Sequence, residues 1–431
     1  AVDKSRAVSI RLPSGGSLTG VLHPEWTLDD AKALTGRLAD LEAAYKQLAA
    51  LPGHAYARVV AVWDPRAKKV LFFIPRALMF GEAAAVFGFN RVSKFLATVV
   101  VRCADLVTTS YFDDFSQLEL LKLASSAEET CKVIFFRLGF KLSEDPKKDQ
   151  EFKRRFEPLG VEVDFSRSSE GMVIIAPKLS RVLKVVEMAR VAIEGGNMGF
   201  KEASTLQGIL RFLREGLFGR VGGRLLNALG AHERMTSSKR LSGELRESLE
   251  WLVCCLPVLP PRIISVSSVD SIIHIFTDGA SEPNRVTVGG CIFEHGHRPE
   301  VFGSAVPSVT VSRWMAGRKT QVIGQAELAP TLIASHIWSS RLKGRFVVWW
   351  LDQDAARQAL VKGYSPVLES ASIVDEVSLK LSWLNCYSWY ARVPTASNPA
   401  DAASRLDWKT WFEGFPHSDR VSVPGAIWHV C

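Results

Sequence analysis

Two aspartates stand side by side among aromatic residues in Tyr111-Phe112-Asp113-Asp114-Phe115, and this motif restricts the fold more than any other in the chain. Leu106 to Thr109 before the pair and the residues after it read as two short strands, so the pair falls on a tight hairpin. Adjacent like charges repel, which costs stability unless a cation neutralises them. The flanking rings would pack the hairpin so that at least one carboxylate faces a groove. The alternative is an exposed acidic turn, and the apolar strand before the pair speaks for a buried hairpin. Two metal ions held there need a further carboxylate from a neighbouring strand. Asp40 is the candidate, where a strand end passes into a helical turn within Leu38 to Leu51.

At 431 residues the chain is long enough for two to three domains. Hydrophobic residues make up 47% and charged residues 23%, an ordinary globular balance. No apolar run reaches membrane-spanning length without a charge or a Pro/Gly break. The start, Ala1-Val2-Asp3-Lys4, has no signal-peptide hydrophobic region and no initiator Met, which suggests a piece of a longer translation product. The seven cysteines are scattered with no CxxC pair, which argues against a disulfide scaffold and a zinc finger and fits a reducing compartment, cytoplasmic or nuclear. The net charge of +8 is compatible with phosphate binding.

Residues 1–33 read as irregular, with a turn cluster at Pro13-Ser14-Gly15-Gly16. Ala57 to Val62 and Val70 to Ile74 suggest a hairpin around Asp64-Pro65-Arg66. Helices are expected over Glu82 to Val100 and Ala127 to Leu138, and a short strand over Val161 to Phe165. From Lys178 to Leu256 the pattern is helical in at least three segments, broken at Gly195-Gly196-Asn197 and Gly222-Gly223, and Pro257 to Pro261 reads as a linker. Strands then alternate with helices: strands at Ile272 to Thr277, Val288 to Glu294, Arg345 to Leu351 and Ser388 to Val393, with helices at Gly324 to Leu342, Ala355 to Lys362 and Leu368 to Leu384. This is a mixed α/β pattern.

Four carboxylates in that last region sit where elements begin or end. Asp278 closes the first strand, Glu327 lies in the first turns of the helix after Gly324, Asp352 ends the strand Val347 to Leu351, and Asp401 follows Asn398-Pro399. Taken singly, such residues are usually turn formers or helix-dipole partners. Together they have the oxygen-only chemistry that two hard divalent ions require. Asp354 is the rival to Asp352.

The motifs resemble known families. Phe276-Thr277-Asp278-Gly279-Ala280, Gln325-Ala326-Glu327-Leu328, Leu351-Asp352-Gln353-Asp354 and Ser397-Asn398-Pro399-Ala400-Asp401-Ala402-Ala403-Ser404-Arg405 resemble, in order, the motifs of RNase H, the last as it occurs in retroelement polyproteins. The resemblance implies a four-carboxylate metal site that cuts the RNA strand of an RNA–DNA hybrid. Many RNases H carry a mobile His before the last Asp, and none lies between Cys386 and Asp401. In the first half, the segment around Asp40 resembles the first palm motif of reverse transcriptases, with Asp113 and Asp114 in the position of their YxDD motif. Phe80-Gly81 resembles the motif before the helix that supports the templating base. Tyr45 falls where that family keeps a ring that excludes a 2′-OH; it reads equally as a core aromatic. Gly139 to Lys148 resembles the loop that presents a lysine to pyrophosphate, with Lys148 preferred over Lys147 and a solvated basic turn as the alternative. Leu159 to Asp164 resembles the hairpin that grips the primer end. The helical stretch takes the thumb position, where Lys184, Arg190, Lys201, Arg211, Arg214, Arg220 and Arg224 are candidates to track a phosphate backbone.

The resemblance runs from about Asp40 to Leu406 and is nearest to the long-terminal-repeat and DIRS-like retrotransposons. It departs at the front, where the family has a full fingers region and this chain has a short segment. The implied fold is multidomain α+β: a remnant of fingers at 1–33, a reverse-transcriptase palm of antiparallel sheet with helices at 34–165, a helical thumb at 166–262, and an RNase H-like mixed α/β domain with a tail at 263–431. Trp408, Trp411 and Phe415 suggest that the tail packs back. The implied function is DNA synthesis from dNTPs on an RNA template with a DNA primer, plus hybrid cleavage, with two Mg²⁺ or Mn²⁺ ions per site. The implied partners are RNA, DNA, RNA–DNA hybrid, dNTPs and other parts of a polyprotein, without a membrane. The alternative is a non-catalytic RNA-binding scaffold, or a decayed copy in which only the RNase H site, or neither site, is active.

Overall fold

The computed structural model describes residues 7–11, 17–21, 25–146, 148–214, 219–234, 238–265, 271–283, 285–315 and 321–431. The chain divides into two compact units, Ala1–Ile175 and Ala176–Cys431.

The first unit opens with β1 (Ala7–Arg11) paired antiparallel to β2 (Ser17–Val21), where the sequence suggested irregular chain. Val8 and Ile10 alternate with Ser9 and Arg11, a period-two signal too short to stand out. The turn cluster between the strands lies outside the described residues. β3 (Leu34–Asp40), the hairpin of β4 (Val60–Asp64) and β5 (Lys69–Phe73), α1 (Ala83–Ala104), β6 (Val107–Tyr111), β7 (Asp114–Leu120) and α2 (Ala124–Arg137) follow. Three short strands, β8 (Arg155–Phe156), β9 (Val161–Asp164) and β10 (Met172–Pro177), lie side by side in order β10-β9-β8. β7 is the middle strand of an antiparallel sheet ordered β3-β7-β6. α1 buries Ala85, Phe89, Ser93, Leu96, Ala97 and Val100, one stripe at the helical period, against Ala39, Leu41 and Phe115 of the sheet region and Cys131 and Phe135 of α2. By length and composition alone α1, 22 residues with an 18-residue stretch of mean hydropathy 1.4, is apolar enough to cross a membrane; Gly88, Arg91 and Lys94 interrupt it.

The second unit begins with α3 (Leu179–Gly195), α4 (Phe200–Leu213), α5 (Gly223–Arg234) and α6 (Gly243–Cys255). Gly196 ends α3 in the left-handed region at φ 66°, which a glycine adopts without steric cost. After β11 (Arg262–Ser265) come β12 (Ile273–Glu282), β13 (Arg285–Phe293), β14 (Glu300–Ala305), α7 (Ser308–Trp314), α8 (Ile323–Ile337), α9 (Ser339–Leu342), β15 (Phe346–Leu351), α10 (Asp354–Lys362), α11 (Leu368–Trp383), β16 (Tyr387–Arg392), α12 (Ala400–Ser404), α13 (Trp408–Gly414) and β17 (Asp419–Arg420). They build a six-stranded sheet ordered β16-β15-β12-β13-β14-β17. β12, β13 and β14 are antiparallel neighbours, while β15 runs parallel to both β12 and β16.

Two sequence expectations change here. Asp278 does not close its strand: pairing with β13 continues to Glu282↔Arg285, so Asp278 lies inside β12. β14 and α7 were not read from the sequence; β14 carries Gly303 and Ser304, which weaken its strand signal. α8 is buried from Gln325 through Ser335, as a helix apolar on all sides should be. The tail does pack back. Trp411 is buried with Cys291 and Val301, while Trp428 and Cys431 join the main core, and Trp314 Nε1 donates to Cys431 O at 2.8 Å.

Candidate active sites

In the second unit β12 and β15 pair only as far as Phe276↔Trp350. Asp278, inside β12, and Asp352, just past the end of β15, lie beyond the point where the parallel pairing ends, the usual side for a ligand in an α/β sheet. Glu327 enters from α8. Single carboxylate oxygens of Asp278, Glu327 and Asp352 all lie within 4.8 Å of one another, the one such group among the described residues.

Glycines let these elements approach. A Cβ on Gly279 would lie 2.2 Å from Ala326 O and 2.7 Å from Glu327 N, so only glycine allows α8 close enough to deliver Glu327 beside Asp278. Neighbouring residues of a strand face opposite sides. Asp278 therefore shares the other face with its cross-strand partner Gly289 and with Gly303 beyond it. A Cβ on Gly289 would lie 2.3 Å from Ser404 N, and one on Gly303 2.4 Å from Ala403 O. This row of small residues seats α12. Asn398 fixes the entry to α12 by donating Nδ2 to Thr277 O at 3.2 Å.

The electrostatics are those of a site built for a cation. Burial pushes the Asp278 carboxyl up to about 6, against a hydrogen bond from Ser404, with the charges of Asp352 and Asp401 adding to the rise. Burial pushes Glu327 up to about 9, and the charges of Asp278 and Asp352 push the same way. Glu327 Oε2 and Asp352 Oδ1 are buried with no hydrogen-bond partner. An acceptor shielded from water and unpaired is costly, and a divalent cation with oxygen ligands would satisfy both atoms. Asp401 stands outside the trio, and Arg405 Nε donates to both of its carboxylate oxygens at 3.0 Å. Asp354 pairs with Arg357 at 2.8 Å instead of joining the cluster.

In the first unit Asp40 and Asp114 are cross-strand partners on β3 and β7, so both side chains point to one face. Asp113 occupies the two-residue turn with Phe112, whose φ of 54° is unusual for a residue with a side chain. The Ser93 hydroxyl of α1 donates to Phe112 O and holds that turn. Burial raises the Asp40 and Asp114 carboxyls above the usual range; the charge of Asp113 adds to both, and Lys148 opposes both. Lys148 Nζ donates to Asp40 Oδ2 at 3.1 Å. The three aspartates do not converge as the second-unit trio does. Lys147 lies outside the described residues. Tyr45 is buried, stacked on Phe89 at 4.6 Å and tilted against Phe80 at 4.7 Å. It is thus a core aromatic, and its hydroxyl is raised by burial and then by the charge of Asp113. Phe80 is exposed and Gly81 turns the chain at φ 92° just before α1.

Sequence reasoning assigned no role to Ser93, Ser404 or the glycine row. Ser404 follows Asp401 by one helical turn, a spacing that was legible. Ser93 sits mid-helix with no local signal, and cross-strand register decides which glycines align.

No family model and no curated protein matches the chain. Among solved structures, a foamy viral protease-reverse transcriptase in complex with dsDNA is similar at 12% identity and a TM-score of 0.43, covering 97% of this chain and 77% of that one. The same viral protein with an RNA/DNA hybrid aligns at 10% identity and a TM-score of 0.38, over 93% of this chain and 73% of that one. RNase H1 from the halophilic archaeon Halobacterium salinarum aligns at 17% identity and a TM-score of 0.25, over 32% of this chain and 98% of that one.

Proposed function

We propose that the chain is a retroelement reverse transcriptase of the long-terminal-repeat or DIRS-like kind, joining template-directed DNA synthesis to cleavage of RNA in RNA–DNA hybrids. The observation that carries this reading is the trio of buried Asp278 and Glu327 with half-buried Asp352, with two carboxylate oxygens left unpaired. The donors are all oxygens, which fits Mg²⁺ or Mn²⁺. Bound divalent ions supply activation of water or of a primer hydroxyl and stabilise the leaving oxygen. In the nuclease, Asp278, Glu327 and Asp352 would hold the ions, with Asp401 as a further ligand, and Ser404 orients Asp278. In the palm, Asp40, Asp113 and Asp114 take the same part. Tyr45 would select dNTPs, Phe80 and Gly81 would support the template, and Lys148 would exchange Asp40 for the pyrophosphate leaving group.

A specific observation favours a second reading, in which only the nuclease is competent: Lys148 is held on Asp40 and the palm aspartates stay apart. One experiment separates the two. Cleavage of a labelled RNA–DNA hybrid with Mg²⁺ is compared between the chain and Asp278→Asn, with primer extension run alongside. Cleavage should fall by about 10²-fold or more in the variant. Extension by the unaltered chain supports the full reading, and its absence beside intact cleavage supports the nuclease alone. Hybrid binding without cleavage by folded protein would leave a scaffold or a decayed copy.

A further inference from the structure

At the far end of the second unit's sheet from the carboxylates, a small cleft of about 130 Å³ opens beside the first residues of β16. Two arginines line it, Arg220 and Arg262, together with Tyr387, Tyr390 and Ser378, and no Asp or Glu does among the described residues. Both arginines are half-buried, and among the described residues neither has a carboxylate partner. Each is nevertheless held in place. Arg220 donates Nε to Val361 O at 2.8 Å and lies over the Tyr390 ring at 4.9 Å. Arg262 lies over the Tyr387 ring at 5.0 Å. The residue after Arg262 is clamped: Asn385 accepts from Ile263 N at 3.2 Å and donates to Ile263 O at 2.6 Å, and the Tyr387 hydroxyl donates to the same carbonyl. Gly363 permits the close approach, since a Cβ there would lie 2.5 Å from Arg220 O.

Two half-buried arginines lining one cleft, with no carboxylate among its described lining residues, make it a place where an anion is favoured. Their planar forks match tetrahedral oxyanions, and here they are already oriented, so little freedom is lost on binding. The volume is that of roughly four water molecules, well below the ~300 Å³ at which drug-sized ligands begin. We infer that this cleft is a phosphoryl-binding site, filled by either a nucleic-acid backbone phosphate or a free phosphate or pyrophosphate. It uses none of the carboxylates and needs no metal, so it goes beyond the proposed activities.

The test is calorimetric titration of the full chain with pyrophosphate in EDTA, for the unaltered protein and for an Arg220→Gln/Arg262→Gln variant whose folding is checked by thermal melting. Binding by the unaltered chain, weakened about ten-fold or more in the variant, is the expected result. No binding by the unaltered chain overturns the inference whether or not the variant folds, as does equal binding by a folded variant. The salt dependence of hybrid binding then identifies the source. A slope shallower by about one to two in the variant points to backbone phosphate; an unchanged slope points to the free anion. Asp278→Asn, which tests the nuclease reading, should leave pyrophosphate binding intact, so the two ideas fail separately.

Discussion

Glu327 contributes the most alkaline carboxyl window to the pH behaviour of the metal-free protein. Its carboxyl is raised from the ordinary 4.5 to about 9, and that of Asp278 from 3.8 to about 6. Inside those windows the native chain binds protons that the unfolded chain has released, so stability is highest below the lower values and falls as pH rises through the upper ones. The loss is about 1.4 kcal/mol per pH unit for each group within its window. In EDTA the melting temperature should therefore drop between about pH 5 and pH 9. Glu327→Gln should flatten that drop at the upper end, and Mg²⁺ should raise the melting point most at high pH. A pH-independent melting curve for the unaltered metal-free chain would sink this account. The residue types at this site were legible in the sequence, down to Asp352 being distinguishable from Asp354 as the closer residue to its strand end. The protonation was not, because it depends on burial and on three charges far apart in the chain being brought together.

At the scale of elements, the glycines decide how closely helices approach strands. Gly279→Ala places a methyl group against the backbone of α8, which cannot move aside as a flexible side chain can. We expect a loss of about 1–3 kcal/mol and loss of hybrid cleavage with all four carboxylates still present. Gly208→Ala is the contrasting case, an exposed position inside α4 with nothing within 4 Å of the added Cβ. It should stabilise by up to about 1 kcal/mol and leave cleavage unchanged. Melting curves and the hybrid assay check both; equal effects of the two substitutions would remove the glycine argument. Long elements with clean periodicity, such as α1, α3 and α11, were readable from sequence to within a few residues. The short β1, β2 and β14 were not, since strands of five or six residues with Ser or Gly gain their stability from pairing.

For the whole molecule, the chain carries two separate acidic centres in two compact units, so on the proposed reading each should fail alone. Asp113→Asn should abolish primer extension by about 10²-fold or more and leave hybrid cleavage intact, and Asp278→Asn should do the reverse. Loss of both activities in either variant would show that the centres are not independent. The sequence by itself determined the acidic hairpin, the alternation of strands and helices in the last third, and the candidate carboxylates near element ends. Those follow from turn chemistry and hydrophobic period, which act over a few residues. Only the tertiary structure decided that Asp278, Glu327 and Asp352 converge while Asp401 stays with Arg405, that Lys148 reaches Asp40, and that two arginines share a cleft with no counter-charge among its described lining residues. Such outcomes depend on cross-strand register and on how closely backbones can approach. Both are set by contacts between residues tens of positions apart, which no local pattern encodes.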